Sequence, residues 1–157
     1  MAIALVGALA GGCGPQAPPR ALPTDERLIA FFRAHRADLD SLRDNHQAQL
    51  RYGVNDRDPE LVRQWLRIMG RLELPGGGAV ESTHRIFIPA GGRRLGRLAD
   101  SKGFAWLDSI MPPGVTFDTL ASLDTIDDRD LVRPGRRIRP LEGHWWLYRW
   151  TGEPAGD

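Results

Sequence analysis

His144-Trp145-Trp146-Leu147-Tyr148-Arg149-Trp150 packs four aromatic side chains into seven positions, close to the C-terminus of the chain. Side chains of an extended strand point alternately to opposite faces. Trp146, Tyr148 and Trp150 therefore share one face, and Trp145 and Leu147 take the other. Thr83–Ile88 (T-H-R-I-F-I) and Gly103–Leu107 (G-F-A-W-L) are also short, rich in aromatic or branched residues and bounded by glycine or proline, so they read as strands too. Residues 112–142 contain Pro112-Pro113-Gly114 and Pro134-Gly135 and read as loops around one short element. The glycine-rich runs 76–78 and 91–96 also read as loops, because neither has the lysine or the strand–loop–helix setting of a phosphate loop.

Upstream the hydrophobic period changes. Thr24 followed by Asp25-Glu26 has the form of a helix start, a hydroxyl cap with acids in the first turn. Leu28, Phe32, His35, Leu39, Leu42, His46 and Leu50 then recur at steps of four and three, a stripe about 80° wide on a helix. Arg36 and Asp40 are spaced to pair on its polar side. The pattern closes near Tyr52-Gly53 and predicts one helix about 40 Å long. Asp58-Pro59-Glu60 opens a second helix, with Leu61, Val62, Trp65, Leu66 and Met69 as its buried face. Helices first and strands later predict an α+β fold, two N-terminal helices packed on a small antiparallel sheet.

Composition narrows the function class. Of 157 residues, 41% are hydrophobic and 26% charged, which excludes wholesale disorder. A net charge of +1 gives no electrostatic reason to expect a nucleic-acid partner. The single cysteine excludes an internal disulfide, and it sits directly behind the uncharged apolar run Ala2–Gly12. That run suits a signal-peptide core and falls well short of the roughly 20 residues of a membrane span. Only the Met1 amine is positive ahead of it, so the expectation is a weak signal or a start further upstream. Gly14–Pro23 holds four prolines and reads as an extended tether reaching about 30 Å. The chain thus divides into a signal peptide (1–12), a proline-rich tether (13–23), one α+β domain (24–151) and a flexible tail (152–157).

The candidate chemistry is sparse. His35 and His46 lie about 16 Å apart along one helix, too far to share an ion. His84 and His144 sit in strands with no third ligand implied. No Gly-x-Ser-x-Gly elbow is present, and Ser82-Thr83-His84 is adjacency rather than triad geometry. Asp118, Asp124, Asp127, Asp128 and Asp130 lack calcium-loop spacing and read as a solvated acidic loop. Arg133, Arg136, Arg137 and Arg139 follow directly, and pairing with those acids is the favoured reading. Asp-Arg-Asp occurs at 56–58 and again at 128–130, too short a match for a repeat. No catalytic residue, metal site or cofactor is expected. The surface singled out for binding combines Trp146, Tyr148 and Trp150 with Arg136, Arg137 and Arg139, on condition that the aromatic face is exposed.

Leu9-Ala10-Gly11-Gly12-Cys13 resembles a bacterial lipobox. The resemblance implies cleavage before Cys13 and lipid on its thiol, with two or three acyl chains making a stable anchor. Gly14 in place of aspartate implies, by the same resemblance, the outer membrane facing the periplasm. Leu28-Ile29-Ala30-Phe31-Phe32 with His35-Arg36, Lys102–Trp106 and Leu141–Tyr148 resemble stretches of small uncharacterised bacterial lipoproteins, which implies a tethered domain without an assigned activity. The leading expectation is a non-enzymatic binding or accessory domain, held on the membrane through Cys13 and meeting a protein partner of the envelope. An inhibitor or immunity-type protein against a toxin or cell-wall hydrolase is one alternative. An envelope hydrolase using His84, His144 and the aspartates is the other.

Overall fold

Thr24 Oγ1 accepts a hydrogen bond from Arg27 N and opens helix α1 (Asp25–Ala34), as its place before two acids predicts. The computed structural model describes residues 21–51, 58–74, 79–82, 84–108, 117–127 and 129–153. Cys13, the expected signal peptide, most of the expected tether, Tyr52-Gly53, residues 76–78, Thr83 and Asp128 lie outside them.

The single long helix expected over 24–52 is two. At His35 the backbone leaves helical geometry (φ −122°, ψ 22°), and helix α2 (Arg36–Arg51) continues beyond it. The hydrogen-bond ladder nevertheless runs through the bend, with His35 N on Phe31 O and Leu39 N on His35 O. A ladder kept through a bend also keeps the spacing of the apolar stripe, so periodicity alone misses the break. Leu28, Phe32, Leu39, Leu42 and His46 are buried as the stripe predicts, while His35 is half-buried against Phe31, with ring centres 4.4 Å apart.

Helix α3 (Pro59–Arg71) starts where expected, with Asp58 Oδ1 accepting from Glu60 N at 2.8 Å. Its buried residues are Ile68 and Met69, whereas Leu66 stands 62% exposed. Trp65, Ile68 and Leu72 define the inward stripe, and Leu66 is rotated about 100° from Trp65, off that stripe. Asn45 Nδ2 ties α2 to α3 by donating to Leu61 O (2.9 Å) and Gln64 Oε1 (3.2 Å). Among the described residues no helix is long and apolar enough to cross a membrane.

Among the described residues six strands follow: β1 (Ala79–Ser82), β2 (Arg85–Leu95), β3 (Leu98–Leu107), β4 (Asp118–Thr119), β5 (Gly135–Glu142) and β6 (Trp145–Gly152). They form one sheet in the order β1-β2-β3-β6-β5-β4, antiparallel except for the parallel edge pair β4–β5. The fold is α+β, with corrections to the finer expectation. Among the described residues there are three α-helices rather than two, they occupy mid-chain residues 25–71 rather than the N-terminus, and the sheet is mixed. Residues 91–95, read as a loop, are strand, and Gly96-Arg97 is the turn of a hairpin, with Gly96 at φ +61°. Residues 135–142, within the span read as loops around one short element, form β5, and Gly143 (φ +59°) turns it into β6.

One core cluster joins Leu28, Phe32, Leu39, Leu42, Ile68 and Met69 of the helices to Ile86, Ile88, Phe104, Trp106, Trp145 and Leu147 of the sheet. The Trp145 indole reaches across to donate to Asp40 Oδ1 at 2.9 Å. A second cluster holds Phe87, Ala105, Leu107, Ile138 and Tyr148, with Phe117, Trp146 and Trp150 around them, and includes no helix residue. Pro23 packs on β2, where a Cβ on Gly91 would lie 2.6 Å from its ring.

Candidate functional site

The alternation read in His144–Trp150 decides which side chains meet. Trp145 and Leu147 enter the helix-side core, and Trp146, Tyr148 and Trp150 face the other way. On that second face Tyr148 is only 5% exposed, set at 87° to Phe87 with ring centres 5.2 Å apart. Its hydroxyl lies 3.2 Å from Ser101 Oγ. Burial pushes the phenol up to about 12, against a smaller opposing effect of the Ser101 hydrogen bond. Tyr148 is thus a core side chain, while Trp146 and Trp150 on either side of it keep part of their surface in solvent. Phe117 extends the aromatic face by stacking on Phe87 at 6.4 Å.

The arginines singled out with them divide between the two faces. Arg136 lies opposite Trp150 in the β5–β6 register and on the aromatic side. Arg137 and Arg139 point to the helix side. Arg139 Nη1 donates to Asp25 Oδ2 at 2.8 Å, so its carboxylate partner comes from α1 and not from the acidic stretch before it. Arg137 Nη2 reaches that stretch through the carbonyl of Asp130 (3.0 Å), and its Nη1 donates to Thr151 Oγ1 (3.3 Å). The proposed six-residue surface is therefore not one surface.

Sequence reasoning missed the most elaborate polar feature, a buried ionic network on the helix side. Lys102 is 1% exposed, with Nζ 2.6 Å from both Asp25 Oδ1 and Asp124 Oδ1. Asp25 Oδ2 also accepts from Leu123 N at 2.8 Å, and Asp25 N donates to Asp124 Oδ2 at 2.8 Å. Beside it Arg149 makes a two-pronged contact with Asp100 (3.0 and 2.9 Å), joined by Arg93 at 2.9 Å. Burial pushes the Asp25 and Asp100 carboxyls up, but the hydrogen bonds from Lys102, Leu123 and Arg139 on one, and from Arg149 and Arg93 on the other, hold both below the ordinary carboxylate range. Only a partial signal was present in the sequence. Lys102 is the only lysine of the chain, and with Asp100 it shares strand parity with Phe104 and Trp106.

The histidines do not converge on a catalytic set. His84 O accepts from Asp108 N and His144 O from Leu107 N, so the two bracket the end of β3. The exposed His84 ring lies 3.3 Å from Asp108 Oδ2, while His144 stands 6.2 Å from the Trp106 ring. Among the described residues no group of three histidine, cysteine or acidic side chains is placed to hold a metal ion. Asp118, Asp127 and Asp130 are exposed, and Asp124 belongs to the Lys102 network. Compared with protein-family models, curated proteins and solved structures, the chain finds a match in none of the three.

Proposed function

We propose that this chain is a lipid-anchored protein of the bacterial envelope, held at the outer membrane through Cys13 and presenting its domain to the periplasm as a binding or accessory module. The observation that carries the binding reading is the pair Trp146 and Trp150, partly exposed on the sheet face whose cluster contains no helix residue. Tryptophan gives large contact area at low entropic cost and is enriched at the centres of interfaces. The buried charges favour a binding module over an enzyme, since Lys102, Arg149, Asp25 and Asp100 are taken up by one another inside the fold.

The reading is tested in cells with the full chain carrying a photo-crosslinking residue at Trp150, and separately at Leu66 on α3. A defined envelope adduct from position 150 and none from position 66 is expected. The same adducts from both positions would remove the aromatic face from the account. An inhibitor or immunity-type role uses the same face and is recognised by its partner, a toxin or hydrolase whose activity falls when the chain is added.

A further inference from the structure

On the helix side of the sheet three cations stand in one row. Lys102 lies opposite Arg149 in the β3–β6 register, and Arg149 lies opposite Arg137 in the β5–β6 register. Lys102 is answered by Asp25 and Asp124, and Arg149 by Asp100. Arg137 is held by neutral acceptors, the Asp130 carbonyl and the Thr151 hydroxyl, and no described carboxylate lies within ion-pair distance of it. Two of its nitrogens are thereby fixed, which orients the guanidinium while leaving other N–H donors uncommitted.

That guanidinium lines a groove of about 860 Å³ beside residues 120–126 and 129–133. Arg129 and Arg133, both exposed, line it as well, together with the hydroxyl-bearing Ser122 and Thr125. Among the described lining residues three arginines face one carboxylate, Asp130. Guanidinium groups match phosphate oxygens with paired N–H donors, and a pre-set arginine loses little entropy on binding. Leu120, Ala121 and Ile126 add an apolar wall that a bare inorganic ion would leave unused. We propose that the groove formed by Arg129, Arg133 and Arg137 binds an organic phosphate ester.

A phosphate ester can come from a lipid headgroup or from a soluble metabolite, and the experiment separates them. The probe protein is the full chain carrying Cys13→Ser, so that no acyl chain attaches it to vesicles. Its binding to phosphatidylglycerol vesicles is compared with phosphatidylcholine vesicles, with and without millimolar glycerol phosphate. Phosphatidylglycerol binding is expected to weaken ~10-fold or more in the Arg129→Gln/Arg133→Gln double variant, which takes two cations away from the anionic surface. Arg136→Gln, on the opposite face, is expected to bind like the parent. Displacement by glycerol phosphate shows that the groove takes the ester free in solution, and vesicle binding unmoved by it shows that the groove reads the headgroup only at the membrane surface. Equal binding by the parent and the double variant, an equal loss in Arg136→Gln, or no binding to either probe overturns the proposal. None of these outcomes depends on whether Cys13 is lipidated in the cell.

Discussion

Lys102 Nζ lies 2.6 Å from Asp25 Oδ1, joining the middle of β3 to the first residue of α1 inside the protein. Asp124 closes the same cluster from the segment that leads out of β4. The helices, the sheet and residues 120–127 are thus fastened at one point, and much of the fold's response to mutation and pH follows from it.

Lys102→Met leaves the buried Asp25 without its principal cation. Removing one partner of a buried ion pair costs about 3–5 kcal/mol, and that loss is expected in urea unfolding of the full chain. Adding Asp25→Leu to Lys102→Met removes the carboxylate that Arg139 alone would then neutralise and is expected to restore part of the stability. A midpoint shift under about 1 kcal/mol for Lys102→Met would show that the network carries little.

Trp145→Phe removes the donor to Asp40 and opens space beside Phe32. Together these are expected to cost about 2 kcal/mol. Asp40→Asn keeps an acceptor for the indole and is expected to cost less. The comparison of the two unfolding midpoints checks the assignment, and the reverse order would contradict it.

Stability is expected to fall in acid. Burial raises the Asp25, Asp40 and Asp100 carboxyls, but hydrogen bonds and neighbouring cations outweigh it, leaving each below its ordinary value of 3.8. A carboxyl lowered in the folded state contributes stability that is fully present above its unfolded value and lost as pH falls through the folded one. The unfolding free energy should therefore be level from neutral to about pH 5 and decline below about pH 4. A level profile down to pH 2 would speak against the network.

Tyr148 provides the alkaline counterpart. Its phenol is expected to ionise near 12 by phenolate absorbance, later than an exposed tyrosine. Because its folded value is raised, its contribution is complete below about pH 10 and disappears as pH climbs toward the folded value. Tyr148→Phe should remove that late step and cost about 1 kcal/mol through the lost Ser101 bond.

The parts of the fold visible in the sequence were those with a regular period or a distinctive cap. Thr24 and Asp58 marked the starts of α1 and α3, and the alternation in His144–Trp150 assigned each side chain of β6 to its face. The bend at His35 was hidden because it preserves the helical spacing. Strand β5 was hidden because Gly135–Glu142 holds three arginines and Pro140, a composition that reads as loop although the strand pairs along its length with β6. The ionic network was hidden for a different reason. It gathers Asp25, Lys102, Asp124 and Arg139, which are far apart in sequence and share no motif. Of the candidate surface, the aromatic half was legible and the arginine half was not, since the faces of Arg136, Arg137 and Arg139 follow from a strand that composition conceals.

The proposed anchor is lipid on Cys13, and it is read out by metabolic labelling of the full chain with a clickable palmitate. Wild type is expected to incorporate label and sediment with the outer membrane, while Cys13→Ala incorporates none. Equal labelling of the two chains, or no label in wild type, would contradict the account.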